Sequence, residues 1–418
     1  MSNNNHNSNI AIVFDDLTEF FVMRPAIDEL KKQNLKVDII VPYDSGYNGL
    51  AEHTIQTIKE ADYSPLKDAP KNKTYQILLT PYPNLEVIKR TKFHYHFRYP
   101  YGAASTKPDP VFSIDWKIDY DVIFSFNTSE TSFLNAYGAK CYTLPYWVYK
   151  NFHKKPHNSQ KPTLLFLPTF GSDISCVQHL TTSAINDIKK HYTVIAKSHH
   201  ATQYHTDNQS DYKKLQTFAD VFYDSNTPIA TLFEKADLTL SDNSGAIFES
   251  IHTGTPVALF AKDLNKRHLD KVNTIQQDMV NQNIIPYTNQ PNNILPMLQS
   301  IKSYIPKQEK LRKELFIPLG NNPYKPFVDI IKSFVSIDPN HDYHKILHDL
   351  MLEERYKNKA TIIKLEQQIA TERKQTQKEI EELHKHIQNL YNSTSWKITK
   401  PLRKIKSMKE GLNEKEQH

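Results

Sequence analysis

From Ala236 to Phe260 the chain reads ADLTLSDNSGAIFESIHTGTPVALF, and this stretch constrains the fold more than any other. Leu238 to Leu240 is a short apolar run. The polar turn Ser241-Asp242-Asn243-Ser244-Gly245 follows, then a helical pattern from about Ala246, a Gly-Thr-Pro break, and a second apolar run from Val257 to Phe260. Strand, turn, helix and strand in so short a span belong to an α/β layer. Backbone N–H groups at the helix start lack intrahelical acceptors, and the helix dipole favours an anion there. Small residues in the turn let a phosphate approach closely. The turn also reads as an ordinary N-capped helix start, so its meaning depends on what else reaches the same edge.

The same grammar recurs along the chain. Ile10 to Phe14 is an apolar run followed by Asp15 and Asp16, a helical pattern to about Gln33, and a strand from Val37 to Val41. That spacing is a βαβ unit and implies a parallel sheet. Further strands are expected at 76–79, 122–126 and 141–144. The aromatic and basic stretch between Pro81 and Asp119 reads as a long loop over the sheet. Tyr149 to Pro162, basic and bracketed by prolines, reads as a linker. A second series follows: strands at 163–167, 193–197, 221–223, 238–240 and 257–260. Helices are expected at 177–190, 229–235, 270–281, 292–304 and 326–334. The expected organisation is a leader at 1–9, a Rossmann-like acceptor domain at 10–148, a linker at 149–162 and a Rossmann-like nucleotide-donor domain at 163–340. A helical or coiled-coil segment at 345–392 and a basic amphipathic tail at 393–418 complete it. Two such domains place a cleft between the carboxyl ends of their strands.

Composition narrows the class. With 418 residues the chain accommodates two domains and extensions. A net charge of +6, without basic stripes interleaved with aromatics, does not indicate nucleic acid. Two cysteines, Cys141 and Cys176, fit a reducing cytoplasm better than a disulfide framework. The polar start, MSNNNHNSN, lacks the apolar region of a signal peptide, and no apolar run is long enough to span a bilayer. Membrane contact is therefore expected to be peripheral, at the inner face. The tail interleaves Trp396, Ile398, Leu402, Ile405 and Met408 with six Lys and Arg residues, a pattern suited to an anionic membrane surface. Ile362, Leu365, Ile369, Ile380, Leu383, Ile387 and Leu390 lie on helical spacing, with an eleven-residue step in the middle. That is a stuttered heptad pattern, and it makes a homo-oligomeric coiled coil a possible partner interaction. No Cys/His spacing matches a zinc site; His384 and His386 fall on different sides of a helix. No metal and no cofactor are expected.

Three loops of the second series end adjacent expected strands. They are Pro168-Thr169-Phe170-Gly171-Ser172-Asp173, then Ser198-His199-His200 after Lys197, and the turn from Asp242 to Gly245. A Lys, a His pair and a helix start gathered at one edge suit a nucleotide diphosphate, whose developing negative charge they would stabilise. Glu249, one turn into the helix, is positioned to accept hydrogen bonds from a ribose. The expected phosphate or nucleotide contacts are Thr169, Phe170, Gly171, Lys197, Asp242, Asn243, Ser244, Gly245 and Glu249.

The pieces LLFLPTFG (164–171), VIAKSHH (194–200) and ADLTLSDNSGAIFE (236–249) resemble the CDP-glycerol glycerophosphotransferase family, the teichoic-acid polymerase and primase group. The resemblance covers mainly residues 90–335. It implies a GT-B fold and a metal-independent transferase that moves a polyol phosphate from a CDP-activated donor to a hydroxyl acceptor in bacterial cell-surface polymer synthesis, teichoic acid or capsule. The acceptor would be lipid-linked or a glycan. The resemblance also implies a first-domain His, in a Trp-His motif, as the base that deprotonates the acceptor. This chain has HYHFRYPYGAASTK there instead. His94, His96 and Tyr101 are the candidate equivalents, with Asp15 and Asp16 as a second option. His199 and His200 are the catalytic candidates on the donor side. The Ser-Asp-Asn-Ser-Gly turn also looks like that of the sugar-nucleotide 2-epimerases. A glycosyltransferase, an epimerase or a degenerate scaffold are therefore the alternatives.

Overall fold

The computed structural model describes residues 9–42, 50–82, 85–103, 119–136, 138–155, 160–169, 175–199, 209–224, 227–264, 275–392 and 399. Residues 1–345 form one compact unit and 346–418 another. Two six-stranded parallel sheets organise the first unit. The first runs β1 (Asn9–Val13), α1 (Leu17–Lys32), β2 (Lys36–Ile40), α2 (Leu50–Glu60), β3 (Thr74–Thr80), α3 (Leu85–Arg90), β4 (Lys92–Arg98), β5 (Val122–Ser125), α4 (Thr128–Ala136) and β6 (Cys141–Thr143). Its strand order is β2-β1-β3-β4-β5-β6. The second runs β7 (Thr163–Leu167), α5 (Thr182–His191), β8 (Thr193–Lys197), α6 (Gln209–Phe218), β9 (Val221–Tyr223), α7 (Ile229–Phe233), β10 (Leu238–Ser241), α8 (Ala246–Thr253), β11 (Val257–Phe260), α9 (Ile275–Asn281) and β12 (Tyr287–Thr288). Its order is β12-β11-β10-β7-β8-β9. The chain closes with α10 (Ile294–Gln299), α11 (Ile305–Leu315), α12 (Lys325–Val335) and α13 (Tyr343–Asn392).

Strand order reverses between β1 and β3 in the first sheet and between β7 and β10 in the second. Helices then leave opposite faces, and a crevice opens at the carboxyl ends of the two diverging strands. The inward faces of both sheets share one apolar core, which includes Ile10, Ile12, Phe124, Leu165, Ile195 and Leu259. Val194 and Ala196 of β8 face a second core on the other side. Lys197 continues the alternation of Ile195, so it leaves the sheet on the face shared with the first domain.

Local chemistry sets the helix ends. Asp16 caps α1: its carboxylate accepts from Glu19 N–H at 3.1 Å, and Glu19 reaches back to Asp16 N–H in a capping box. The expected Gly-Thr-Pro break ends α8, where Gly254 adopts φ +69°. A Cβ there would meet Glu309 Oε1 at 3.1 Å, so both backbone and space favour glycine.

Three expectations need correction. The stretch 81–119 is not all loop: it holds α3 and the central strand β4. In FHYHFR both faces of the strand are aromatic or basic, so polarity does not alternate and the period of two is hidden. The helix expected at 177–190 is broken: a 3-10 turn at Cys176–His179 gives way at Leu180, and Thr181 caps α5 by accepting from Ala184 N–H at 3.2 Å. Finally, α12 packs on the first sheet, although it follows the second in sequence. The Phe334 ring lies 5.1 Å from Tyr95 and 4.9 Å from Phe97, and Gln76 Nε2 donates to Ile337 O at 2.8 Å. By packing, this segment belongs with 10–148 rather than with 163–340.

Residues 346–392 continue α13 as one unbroken helix. Among the described residues no helix is long and apolar enough to cross a membrane. Apart from Asn9, which opens β1, the leader lies outside the described residues, as does the tail apart from Thr399.

Candidate functional site

The carboxyl edge of the second sheet is built around Asp242. Its carboxylate is fully buried and accepts from Thr169 N–H at 2.8 Å and Cys176 N–H at 3.1 Å. Ser241 Oγ donates to Leu167 O at 2.6 Å. These bonds join the end of β10 to the end of β7 across the switch point. Asp242, expected as a ligand contact, thus spends its carboxylate on the backbone of Thr169 and Cys176. The same carboxylate and burial push the Cys176 thiol well above its usual pKa, so Cys176 stays a neutral thiol.

Three side-chain atoms remain unmatched at this edge. Thr169 Oγ1, Ser198 Oγ and Asn243 Oδ1 are buried, with no hydrogen-bond partner among the described residues. Their residues are 2%, 1% and 6% exposed. They follow β7, β8 and β10, three adjacent strands about 4.8 Å apart. An unmatched buried polar atom costs roughly 1–3 kcal/mol, and such groups in native proteins call for a partner. Ser244 caps the first turn of α8, with Oγ accepting from Ala246 N–H at 3.3 Å, and Gly245 leads into the helix.

Lys197 ends β8 beside these groups. Burial lowers its pKa, opposed by the charges of Glu249, Asp224 and Asp16. Asp16 belongs to the first domain, so its field reaches Lys197 from the facing edge. Glu249 is the second charged group, but its carboxylate is engaged. Tyr146 OH donates to Oε1 at 3.1 Å and Tyr149 OH to Oε2 at 2.8 Å. Burial raises the Glu249 pKa, and the two hydroxyls and Lys197 oppose that rise. One turn on, His252 packs edge-on against Tyr146 and Phe316 and at a tilt against Tyr149. Burial, reinforced by Arg312, lowers its pKa to about 4. The two tyrosines went unnoticed in the sequence. Their signal was the aromatic run Tyr146-Trp147-Val148-Tyr149 at the start of a segment read as a polar linker.

The first-domain histidines His94 and His96 both lie in β4. His96 is buried in β4, with Nε2 2.9 Å from Thr80 Oγ1 and its ring 4.2 Å from Tyr120. His94 shares that face two residues further from the carboxyl end, about 13 Å short of Arg98 along the strand. The edge itself carries Asp15, Asp16 and the buried Glu19. Glu19 accepts from Asp15 N–H at 2.7 Å, and its pKa is raised by burial and by Asp16 and Asp15. Tyr82 and Tyr101 pair at 5.2 Å there, and burial pushes Tyr101 up to about 12. His199 is half-buried just past Ser198. Phe170, Gly171 and His200 lie outside the described residues.

No family model and no curated protein matches the sequence. Solved structures share the fold. The wall teichoic acid polymerase TagF superposes with a TM-score of 0.52 at 14% identity, over 79% of this chain and 89% of that one. A putative UDP-N-acetylglucosamine 2-epimerase from Listeria monocytogenes gives 0.53 at 13% identity, over 79% and 97%. The UDP-GlcNAc 2-epimerase from Neisseria meningitidis, bound to UDP-GlcNAc, gives 0.51 at 14% identity, over 78% and 100%. At such identities the likeness is one of fold. The two parallel sheets are an α/β GT-B architecture, and the glycerophosphotransferase resemblance carried by 164–171, 194–200 and 236–249 has a structural counterpart in the teichoic acid polymerase.

Proposed function

We propose that this protein is a transferase that binds a nucleotide-activated donor at the carboxyl edge of its second sheet. The carrying observation is the pair of unmatched buried hydroxyls of Thr169 and Ser198 beside Lys197 at a strand switch point, with Asn243 Oδ1 an unmatched acceptor for a donor group of the ligand. A diphosphate offers acceptors to the hydroxyls and to the start of α8, and negative charge to Lys197. The preferred donor is a CDP-activated polyol phosphate, on the strength of the three matching sequence pieces. An acceptor hydroxyl oxygen attacks the β-phosphorus and forms a phosphodiester. The bond to the bridging oxygen breaks, CMP departs with that electron pair, and a first-domain base takes the hydroxyl proton. Lys197 and His199 stabilise the departing charge.

For the base, the burial of His96 and the position of His94 favour Asp16, whose charge already reaches Lys197. Glu249, held by two tyrosines, takes the ribose through its remaining lone pairs. The basic tail, 393–418, would hold the enzyme on the anionic inner face of the membrane near a lipid-linked acceptor.

A nucleotide panel read by thermal shift tests this, because a ligand that binds only the folded state raises its stability. CDP-polyols should stabilise the chain and release CMP with an acceptor. A second reading, a UDP-sugar enzyme, is favoured by the equal likeness of fold to UDP-GlcNAc 2-epimerases. Stabilisation by UDP-sugars alone would select it. No shift with any nucleotide would reject both.

A further inference from the structure

We propose that residues 346–392 pair with the same segment of a second copy of this chain, along a stripe that runs the length of the helix. Leu347, Met351, Leu365, Ile369, Ile380, Leu383 and Ile387 are 58%, 65%, 52%, 49%, 44%, 62% and 39% exposed. At 3.6 residues per turn all seven fall within an arc of about 60°, while Ile346 and Leu350, also exposed, lie outside it at the start of the segment. The eleven-residue step between Ile369 and Ile380 is three turns to within about 20° of arc, so the interruption of the heptads keeps the stripe on one face. An arc this narrow is a coiled-coil seam rather than the wider face that docks a helix on a globular core. The segment is about 70 Å long. A helix of this length has little to hold its apolar stripe out of water except another helix.

The occupant follows from two features. Asn358 and Thr376 fall in the middle of the stripe, in the gaps between the apolar groups. A polar residue inside a seam fixes register by meeting its own kind across the interface. The pattern is also self-complementary. Two parallel copies in register match every position with itself. Reversing one copy about Gln367 sets Leu347 against Ile387, Met351 against Leu383, Leu365 against Ile369 and Asn358 against Thr376, and leaves Ile380 as the one stripe residue opposite a charged side chain, Glu354. The segment carries as many acidic as basic side chains, so two copies meet without net repulsion. An arbitrary partner would require neither symmetry. In the parallel arrangement, pairing would also bring two basic tails to one membrane surface, raising avidity without new contacts. This inference does not depend on the identity of the donor.

The test is sedimentation of the full chain over about a hundredfold concentration range, since self-association follows mass action. The intact chain should sediment as a dimer. The double variant Leu365→Glu with Leu383→Glu places charge on the stripe and should weaken association at least about tenfold. Gln367→Glu, on the opposite face, should leave the dimer intact, and circular dichroism should confirm that all three chains stay helical. A monomer at every concentration overturns the proposal, as does association that survives the double variant or that is lost equally in Gln367→Glu.

Discussion

The two sheets have the same architecture, with a strand switch and a carboxyl edge each, yet their edges are finished differently. At the first edge the polar groups engage one another. Glu19 accepts from Asp15 and Asp16 N–H, His96 pairs with Thr80, and Ser125 Oγ donates to Glu130 at 2.6 Å. The Asn127 amide nitrogen there has no hydrogen-bond partner among the described residues. At the second edge one carboxylate, Asp242, is used to order the backbone, while the side chains of three adjacent loops keep an unmatched atom. The comparison teaches that carboxylates and hydroxyls paired with one another stabilise an edge, whereas an edge whose carboxylate is spent on backbone and whose hydroxyls stay unmatched is prepared for a ligand.

The largest effect should come from removing the organiser of the second edge. Asp242→Ala strands the N–H groups of Thr169 and Cys176 and should cost about 3 kcal/mol in chemical denaturation, together with nucleotide binding. Full nucleotide affinity in a folded Asp242→Ala protein would show that the edge does not need the bonds to Thr169 and Cys176.

Acid should expose the region that joins the two edges. His252, facing Arg312, Tyr146, Tyr149 and Phe316 and one turn from Glu249, has its folded pKa lowered to about 4 from an ordinary 6.5. A lowered folded pKa means stability that is present above the unfolded value and lost as pH falls through the folded one. Between about pH 6.5 and 4 this group alone should remove up to about 3 kcal/mol. His252→Phe should flatten that part of the stability profile; an unchanged profile would mean that other groups set it.

Lys197→Met should separate binding from folding. Removing a partly desolvated charge should leave stability unchanged or slightly higher. Affinity for a nucleotide diphosphate, measured by calorimetry, should fall by roughly tenfold to a hundredfold. A loss of stability with no loss of affinity would place Lys197 in the fold rather than the site.

The smallest and sharpest contrast is a pair of matched substitutions. Thr80→Val breaks the bond to His96 and should cost about 1 kcal/mol of stability with little effect on nucleotide. Thr169→Val removes a hydroxyl that has no partner, so stability should hold or rise while nucleotide affinity falls about fivefold. Equal stability losses in both variants would erase the difference between the edges.

The sequence by itself determined the alternation of strands and helices, because buried parallel strands are apolar runs such as 163–167, 193–197 and 257–260, and because Asp16, Gly254 and Pro256 punctuate them. It also singled out the turn 241–245 and Lys197, since a polar turn between strand and helix is a local pattern. What it did not determine was which side chains are free to meet a ligand. Asp242, Asn243 and Ser244 look alike in the sequence, yet one is consumed by backbone donors 73 and 66 residues away, one keeps an unmatched oxygen and one caps its own helix. Likewise Glu249 meets tyrosines 103 and 100 residues earlier, and α12 returns to pack on the first sheet. Periodicity and capping act over a few residues and are written locally. Hydrogen-bond partnership and burial are set by groups brought together from distant positions, and only the tertiary structure assigns them.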